Sequence, residues 1–421
     1  MVAIPLIYFS ILAYYYYKKA RRVDLAVYIT LIYAVSGLFS VLLDMFSLRN
    51  ADIANYDISM TAVIVYCFSI TLILYPIQRF SVAYNKRMVP LTSDKVLRFF
   101  AVFGILYTLF YIIMSYDSIM LVLRGDMGAM RNDLYKDVIE VGWVGKLPSV
   151  IRMPVALLNH VVGAPWVFQL LAFFSFFVQK MPKKYGYMFL TTSLIGPLSG
   201  IIGVDRSSTT YWILSLVGCY IMFKPQISKN MRKGAIYYGL ILLFLFFFYL
   251  WSVTSSRFDY SASYENSQSS IIDYLGKPFI NFCFFYDTFD APFSYYGIVF
   301  PFISNTLLGE FTTTVDWQDR VSLMSNVGIG TFYTFLGAIK LALGKLGMYL
   351  YLLIATIGGY ILILPRSNLS AITLHNIFCY FLLASVPMLG LFGHYYSGGT
   401  KTFCIVLFFI VTSLICNKKR R

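Results

Sequence analysis

Charge is what this chain has least of. Only 13% of its 421 residues are charged and 59% are hydrophobic, whereas soluble domains carry roughly a quarter charged residues. That shortfall, with repeated apolar runs of about 20 residues, argues against an ordinary soluble enzyme and for a chain solvated by lipid. Histidine is nearly absent, at 3 residues, and the 6 cysteines form no close pair. Five of them, Cys67, Cys219, Cys379, Cys404 and Cys416, lie in apolar runs, and only Cys283 lies outside one. Such spacing offers no zinc site, redox motif or disulfide framework, and small core hydrophobes are the expected role. The phosphate-binding P-loop, the dinucleotide fingerprint, the HExxH helix and the serine nucleophile elbow are missing. Charges deep within the apolar runs are scarce, which argues against ion-coupled transport. Neither a low-complexity linker nor a clear internal repeat divides the chain.

What is present is a series of membrane-length apolar runs. They predict spans near 2–17, 23–43, 58–78, 95–116, 148–178, 185–203, 207–223, 235–253, 346–364, 371–393 and 402–416. The expected fold is therefore all-α, a single polytopic membrane domain over 1–421 with about eleven transmembrane helices. Pro154 and Pro165 predict a kink in the fifth span, and Gly200, Gly203 and Asp205 break the sixth from the seventh. A re-entrant or tilted segment is expected at 327–344. No basic segment precedes the apolar run at Val2, and Lys18, Lys19, Arg21 and Arg22 follow it. That is the pattern of a first span with its N-terminus outside, rather than of a cleavable signal peptide.

The net charge of +15 invites a nucleic-acid reading, which its distribution rejects. Alternate turns, from the 18–22 turn to the C-terminal 418–421, collect 21 of the 34 basic residues and only Asp24 and Asp94 of the 19 acids. A period of that kind follows the positive-inside rule, with the N-terminus out and the C-terminus in. Two substantial loops then fall on the outer side. The first, 117–147, carries VLRGDMGAMRNDLYKDVIEV, a candidate interfacial helix. The second, 254–331, is the main outer loop, expected to hold short interfacial helices.

The residues able to carry chemistry cluster on that outer side. Arg206, in GVDRSSTTYW, sits where one span stops and the next begins. Ser207, Ser208, Thr209 and Thr210 follow it at a helix N-terminus, whose free N–H groups and hydroxyls suit a pyrophosphate. Pairing with Asp205 or snorkelling to lipid phosphate is the plainer alternative. Arg257 and Arg320 suit phosphate equally, or ion pairs with Asp259, Asp316 and Asp319. Arg124, Arg131 and Arg152 are weaker candidates. His394, in GHYYSGGTK, is a candidate general base on a sugar hydroxyl, or a hydrogen-bonded structural histidine. Asp259, Glu265, Asp287, Asp290 and Glu310 are each able to serve as base, and no spacing chooses among them. Aromatic residues make up 19% of the chain and supply either sugar-stacking faces or an interfacial belt.

The whole plan resembles the O-antigen and capsular repeat-unit polymerases of the Wzy type. Locally the resemblance rests on GVDRSSTTYWILSL (203–216), which is similar to the family's glycine-then-arginine start of a helix. It rests also on SNVGIGTFYTFLGAIKLALGKLG (325–347), which resembles its Asn…Thr-x-Tyr-Thr segment and glycine-spaced run. Arg131 and Gly142 keep an arginine-to-glycine spacing found in outer loops of some members, whereas Arg257 and Arg320 do not. The resemblance implies a metal-independent, cofactor-free glycosyltransferase in a bacterial inner membrane, working on its outer face. It would transfer a growing glycan from undecaprenyl pyrophosphate onto a second lipid-linked repeat unit. Arg206, Arg257 and Arg320 would hold the pyrophosphate, and Asn326, Thr331 and Tyr333 would shape the site. His394 or Asp259 would take the hydroxyl proton. Membrane lipids and a chain-length regulator are the implied partners, and nucleic acid is not. An O-antigen ligase using the same donor, or a lipid-linked oligosaccharide flippase, is the alternative.

Overall fold

The computed structural model describes residues 1–46, 55–83, 87–124, 148–203, 206–234, 269–289, 333–363, 371–397 and 399–417, with single positions at 53 and between 237 and 248. These residues are almost wholly helical. In chain order the helices are α1 (Ile4–Ala20), α2 (Leu25–Met45), α3 (Met60–Ala83), α4 (Lys95–Met114), α5 (Tyr116–Leu123), α6 (Ser149–Val161), α7 (Pro165–Phe177), α8 (Lys183–Ser193), α9 (Ile195–Ile202), α10 (Arg206–Phe223), α11 (Ser269–Thr288), α12 (Thr334–Ile363), α13 (Leu374–Leu389) and α14 (Gly399–Asn417). Among the described residues, strand is confined to Arg87–Met88 and Ala371–Ile372.

The helices are apolar on the outside. On α12, Leu346, Leu350, Ile354, Ile357 and Ile361 recur at helical spacing and are all at least half exposed. On α4, Phe99, Leu106 and Ile113 do the same. Meanwhile Thr30, Ser36, Ser40, Asn281 and Lys340 are buried. Soluble proteins do not expose continuous apolar stripes of this size. Lipid removes the penalty for them, and the backbone must then be satisfied within each helix. Among the described residues five helices (α2, α3, α4, α12 and α14) are long and apolar enough to cross a membrane, or six if the bent pair α6–α7 counts as one span. The chain is thus a multi-pass, all-α protein of membrane character. The other expected spans coincide with helices that are short or interrupted: α1 has 17 residues, α8 and α9 are separate helices, and α10 opens on Arg-Ser-Ser-Thr-Thr. Most of 235–253 lies outside the described residues.

The expected kink is found: α6 and α7 bend by 53° across the break before Pro165, because proline deletes a backbone donor and crowds the preceding turn. Of the segment 327–344, expected to be re-entrant or tilted, residues 333–344 are described, and they end in a break within α12. Gly344 has φ 71° and ψ 180°, a conformation reserved in practice for glycine. It divides α12 into a first segment buried from Thr334 to Ala342 and an apolar, lipid-facing second one.

The chain forms two compact units, Met1–Arg87 with Gln268–Thr402, and Met88–Ser267 with Phe403–Arg421. In the first, one part of the expected outer loop departs from expectation. Residues 269–288 form the twenty-residue helix α11, packed on α2, α3 and α12, and not short interfacial helices. Phe279, Phe282, Cys283 and Tyr286 give it an apolar stripe at i, i+3, i+4 and i+7, all buried. The contact with α2 is made backbone to backbone. A Cβ on Gly276 would lie 2.6 Å from the Phe39 carbonyl oxygen. Ser36 donates to the Leu275 carbonyl at 2.7 Å and Ser40 to the Gly276 carbonyl at 2.8 Å. Small residues and hydroxyls holding two helices together is the packing mode lipid favours.

At the opposite end of α3, Asp24 caps α2 by accepting from the Val27 N–H at 2.9 Å and from the Ser81 hydroxyl. Arg22 donates to the Ser81 carbonyl at 2.6 Å. Burial raises the Asp24 pKa, partly offset by the hydrogen bonds from Ser81 and Val27. In the second unit, Trp212 of α10 donates to the Ser193 hydroxyl at 3.0 Å, and Gln169 of α7 donates to the Trp212 carbonyl at 2.9 Å.

Gly276→Ala should lower the melting temperature of the detergent-solubilised protein, by overpacking worth about 1–3 kcal/mol. Gly358→Ala, whose new methyl meets nothing within 4 Å, should leave it unchanged or raise it, since alanine is the better helix former.

Candidate functional site

The last turn of α11 presents three consecutive residues to three different partners. Successive helical side chains point about 100° apart, so a turn held on several sides can do this. Phe285 uses its backbone: its carbonyl accepts from the ammonium of Lys340, which α12 carries fully buried. That carbonyl lies at a helix C-terminus, where intrahelical donors run out and a cation is favoured. The ammonium also lies 5.6 Å from the centre of the Phe289 ring. Tyr286 exchanges a 2.6 Å hydrogen bond with Tyr349 of α12, and Lys345 stands 5.1 Å from the centre of its ring.

Asp287 turns towards the start of α3. One carboxylate oxygen accepts from the Tyr56 phenol, and the other from the Ser59 hydroxyl at 3.0 Å. Asp287 itself is exposed. Burial first, and then the bond to Asp287, hold the Tyr56 pKa far above its usual range, so that it stays a neutral donor. Its ring stands edge-on against Phe284 at 5.3 Å.

The start of α12 lies at the same end of the unit. Tyr333 is buried, with its ring edge-on to Phe285 at 6.2 Å. Thr334 has φ 59°, a left-handed conformation that costs a β-branched residue about 1–3 kcal/mol. The reward is a helix start in which the Thr334 hydroxyl accepts from the Gly337 N–H at 3.4 Å, while the Phe335 N–H reaches the Gly390 carbonyl at 2.7 Å. That carbonyl ends α13 and leads into the loop of His394.

His394 is enclosed. Its Nε2 lies 3.4 Å from the Tyr351 hydroxyl, its buried Nδ1 has no hydrogen-bond partner, and the Tyr396 ring is edge-on at 6.2 Å. Burial, with the nearby Lys401 ammonium adding to it, pushes its pKa down to about 4. The imidazole is therefore neutral near pH 7 and a weak proton acceptor.

The structure thus brings Tyr333 and His394 into one unit around α12, and adds Lys340, Tyr286, Asp287, Tyr56 and Ser59. Sequence reasoning had Asp287 only as one of five acids and did not single out the others. A lysine inside an otherwise apolar run, GAIKLALG, was the available signal for Lys340. Arg206 opens α10 in the second unit, as the spacing predicts. The Thr209 hydroxyl, in that first turn, is buried without a hydrogen-bond partner. Asp259, Arg257, Arg320, Asn326 and Thr331 lie outside the described residues.

Acid should destabilise the protein through His394. A histidine whose folded pKa is depressed contributes stability that is full above about 6.5 and lost as pH falls towards 4, at about 1.4 kcal/mol per pH unit. Melting curves from pH 7 to pH 5 should show that loss in the wild type and a smaller one in His394→Gln.

No protein-family model, curated protein or solved structure matches the chain.

Proposed function

We propose that the protein is a glycan polymerase of the membrane's outer face, transferring a growing oligosaccharide from undecaprenyl pyrophosphate onto a second lipid-linked repeat unit. The observation that carries this reading is the end of α11. A carboxylate held by hydroxyls, aromatic rings and the Lys345 ammonium gather there, at the end of a bundle whose outer surface is apolar. Carboxylates and rings recognise sugar hydroxyls and faces, and cations recognise phosphate. A lipid-linked sugar needs both, within reach of the bilayer.

Topology supports the same end as the outer one. The opposite end of α3 lies beside Arg22 and Lys19, which reach Ser81 and Gln78. Basic turns mark the inner side. In this reading the chain crosses the membrane about eleven times, with its N-terminus out and its C-terminus in.

Transfer separates a sugar from a pyrophosphate, so the barrier falls when cations stabilise the charge growing on the leaving oxygen. The proposed pyrophosphate contacts, on sequence grounds, are Arg206, Arg257 and Arg320, with Asn326, Thr331 and Tyr333 shaping the site. No step calls for a metal or an organic cofactor.

Purified protein given undecaprenyl-pyrophosphate repeat units, isolated from the cell that makes it, should build a glycan ladder on a gel. Arg206→Ala should reduce the rate about 100-fold or more while the protein remains folded. A single transfer onto lipid A-core with no ladder would identify a ligase. Lipid flipping in vesicles without any glycan product would identify a transporter.

A further inference from the structure

We propose that Asp287, its carboxylate gripped by the Tyr56 and Ser59 hydroxyls, is the general base that deprotonates the acceptor sugar. This rests on the glycan-transfer reading above and names the residue that reading leaves open.

A base for an incoming hydroxyl must be ionised, oriented and reachable. Two of the carboxylates described in this unit show the contrast. Asp24 is also hydrogen-bonded through both oxygens, but it is buried as a helix cap. Asp287 has both oxygens oriented by neutral donors, and it is exposed. A carboxylate offers about four lone-pair directions. Among the described residues Tyr56 and Ser59 take two of these, and each oxygen keeps a second direction for a ligand hydroxyl. The grip is built from two separate segments, the last turn of α11 and the residues just before α3. Tyr56 is braced against Phe284 of the same turn. The aim of the carboxylate is therefore fixed by tertiary packing, as a positioned catalytic group needs.

Among the described residues, His394 is the competing base. Its Nδ1 is closed off from solvent, and Nε2 is engaged with Tyr351. An enclosed imidazole cannot meet a sugar on the end of a lipid-linked glycan without the loop opening.

The step balances as follows. The acceptor hydroxyl oxygen bonds to the donor's anomeric carbon. The bond from that carbon to the pyrophosphate oxygen breaks, and its electron pair leaves with undecaprenyl pyrophosphate. The hydroxyl proton passes to Asp287, which later releases it to water.

The test uses the full-length protein in detergent with the isolated undecaprenyl-pyrophosphate repeat units. Asp287→Asn should lower the maximal ladder rate about 100-fold or more, the usual range for losing a general base, with acceptor KM within a few-fold of wild type. Tyr56→Phe should lower the maximal rate by a smaller factor, with acceptor KM and melting temperature near wild type, because the carboxylate keeps the Ser59 donor but loses half of its grip. A wild-type ladder matched by Asp287→Asn overturns the base while leaving the polymerase reading standing. No ladder from wild type overturns both. Should Asp287→Asn fail to fold, Tyr56→Phe decides: a lowered maximal rate at unchanged acceptor KM and melting temperature supports the proposal, and a wild-type rate overturns it.

Discussion

The approach of α11 to α2 is the contact on which the first unit depends. In lipid there is no hydrophobic gain from bringing two apolar helices together, so close packing and hydrogen bonds must do it. Gly276 lets the two backbones touch at Phe39. Ser36 and Ser40 then bond to carbonyls of the partner helix. With α11 fixed at that depth, its last turn arrives level with the start of α3. Tyr56 and Ser59 meet Asp287 there and nowhere else along the helix.

The same constraint explains the lysine inside. A buried ammonium is costly unless paired or hydrogen-bonded. Lys340 meets that cost at the carboxyl end of α11, where the Phe285 carbonyl faces it and the Phe289 ring covers it. The charge therefore locks α12 to α11, and the break at Gly344 lets α12 turn from that buried segment into a lipid-facing one. Strain at Thr334 is tolerated because the Gly390 carbonyl and the Gly337 N–H both hold the helix start. A polar end and an apolar girdle are thus parts of one arrangement.

Much of the architecture was legible from local pattern. Helix positions followed apolar runs because lipid-facing helices cannot hide their composition. Pro154 and Pro165 announced the bend, and Gly200 and Gly203 the end of α9 before α10 begins. What misled was α11. Its Asp273, Lys277 and Asp287 read as a polar loop, yet a stripe of phenylalanines was enough to bury one face against α2 and α3. A helix that carries charges such as Lys277 and Asp287 outside its buried stripe does not resemble a hydrophobic run, so hydropathy alone passes over it.

The candidate site divides along the same line. By itself the sequence determined the membrane class, the basic-to-acidic polarity of the turns and the short roster of chemically able residues. Composition and charge order are one-dimensional properties that lipid reads directly. Only the tertiary structure decided that hydroxyls grip Asp287, that His394 is enclosed, and that Lys340 binds a helix end. Asp287 and Tyr56 stand 231 positions apart in the chain. Contacts of that separation are settled by which helices can approach closely, and no local pattern carries that information.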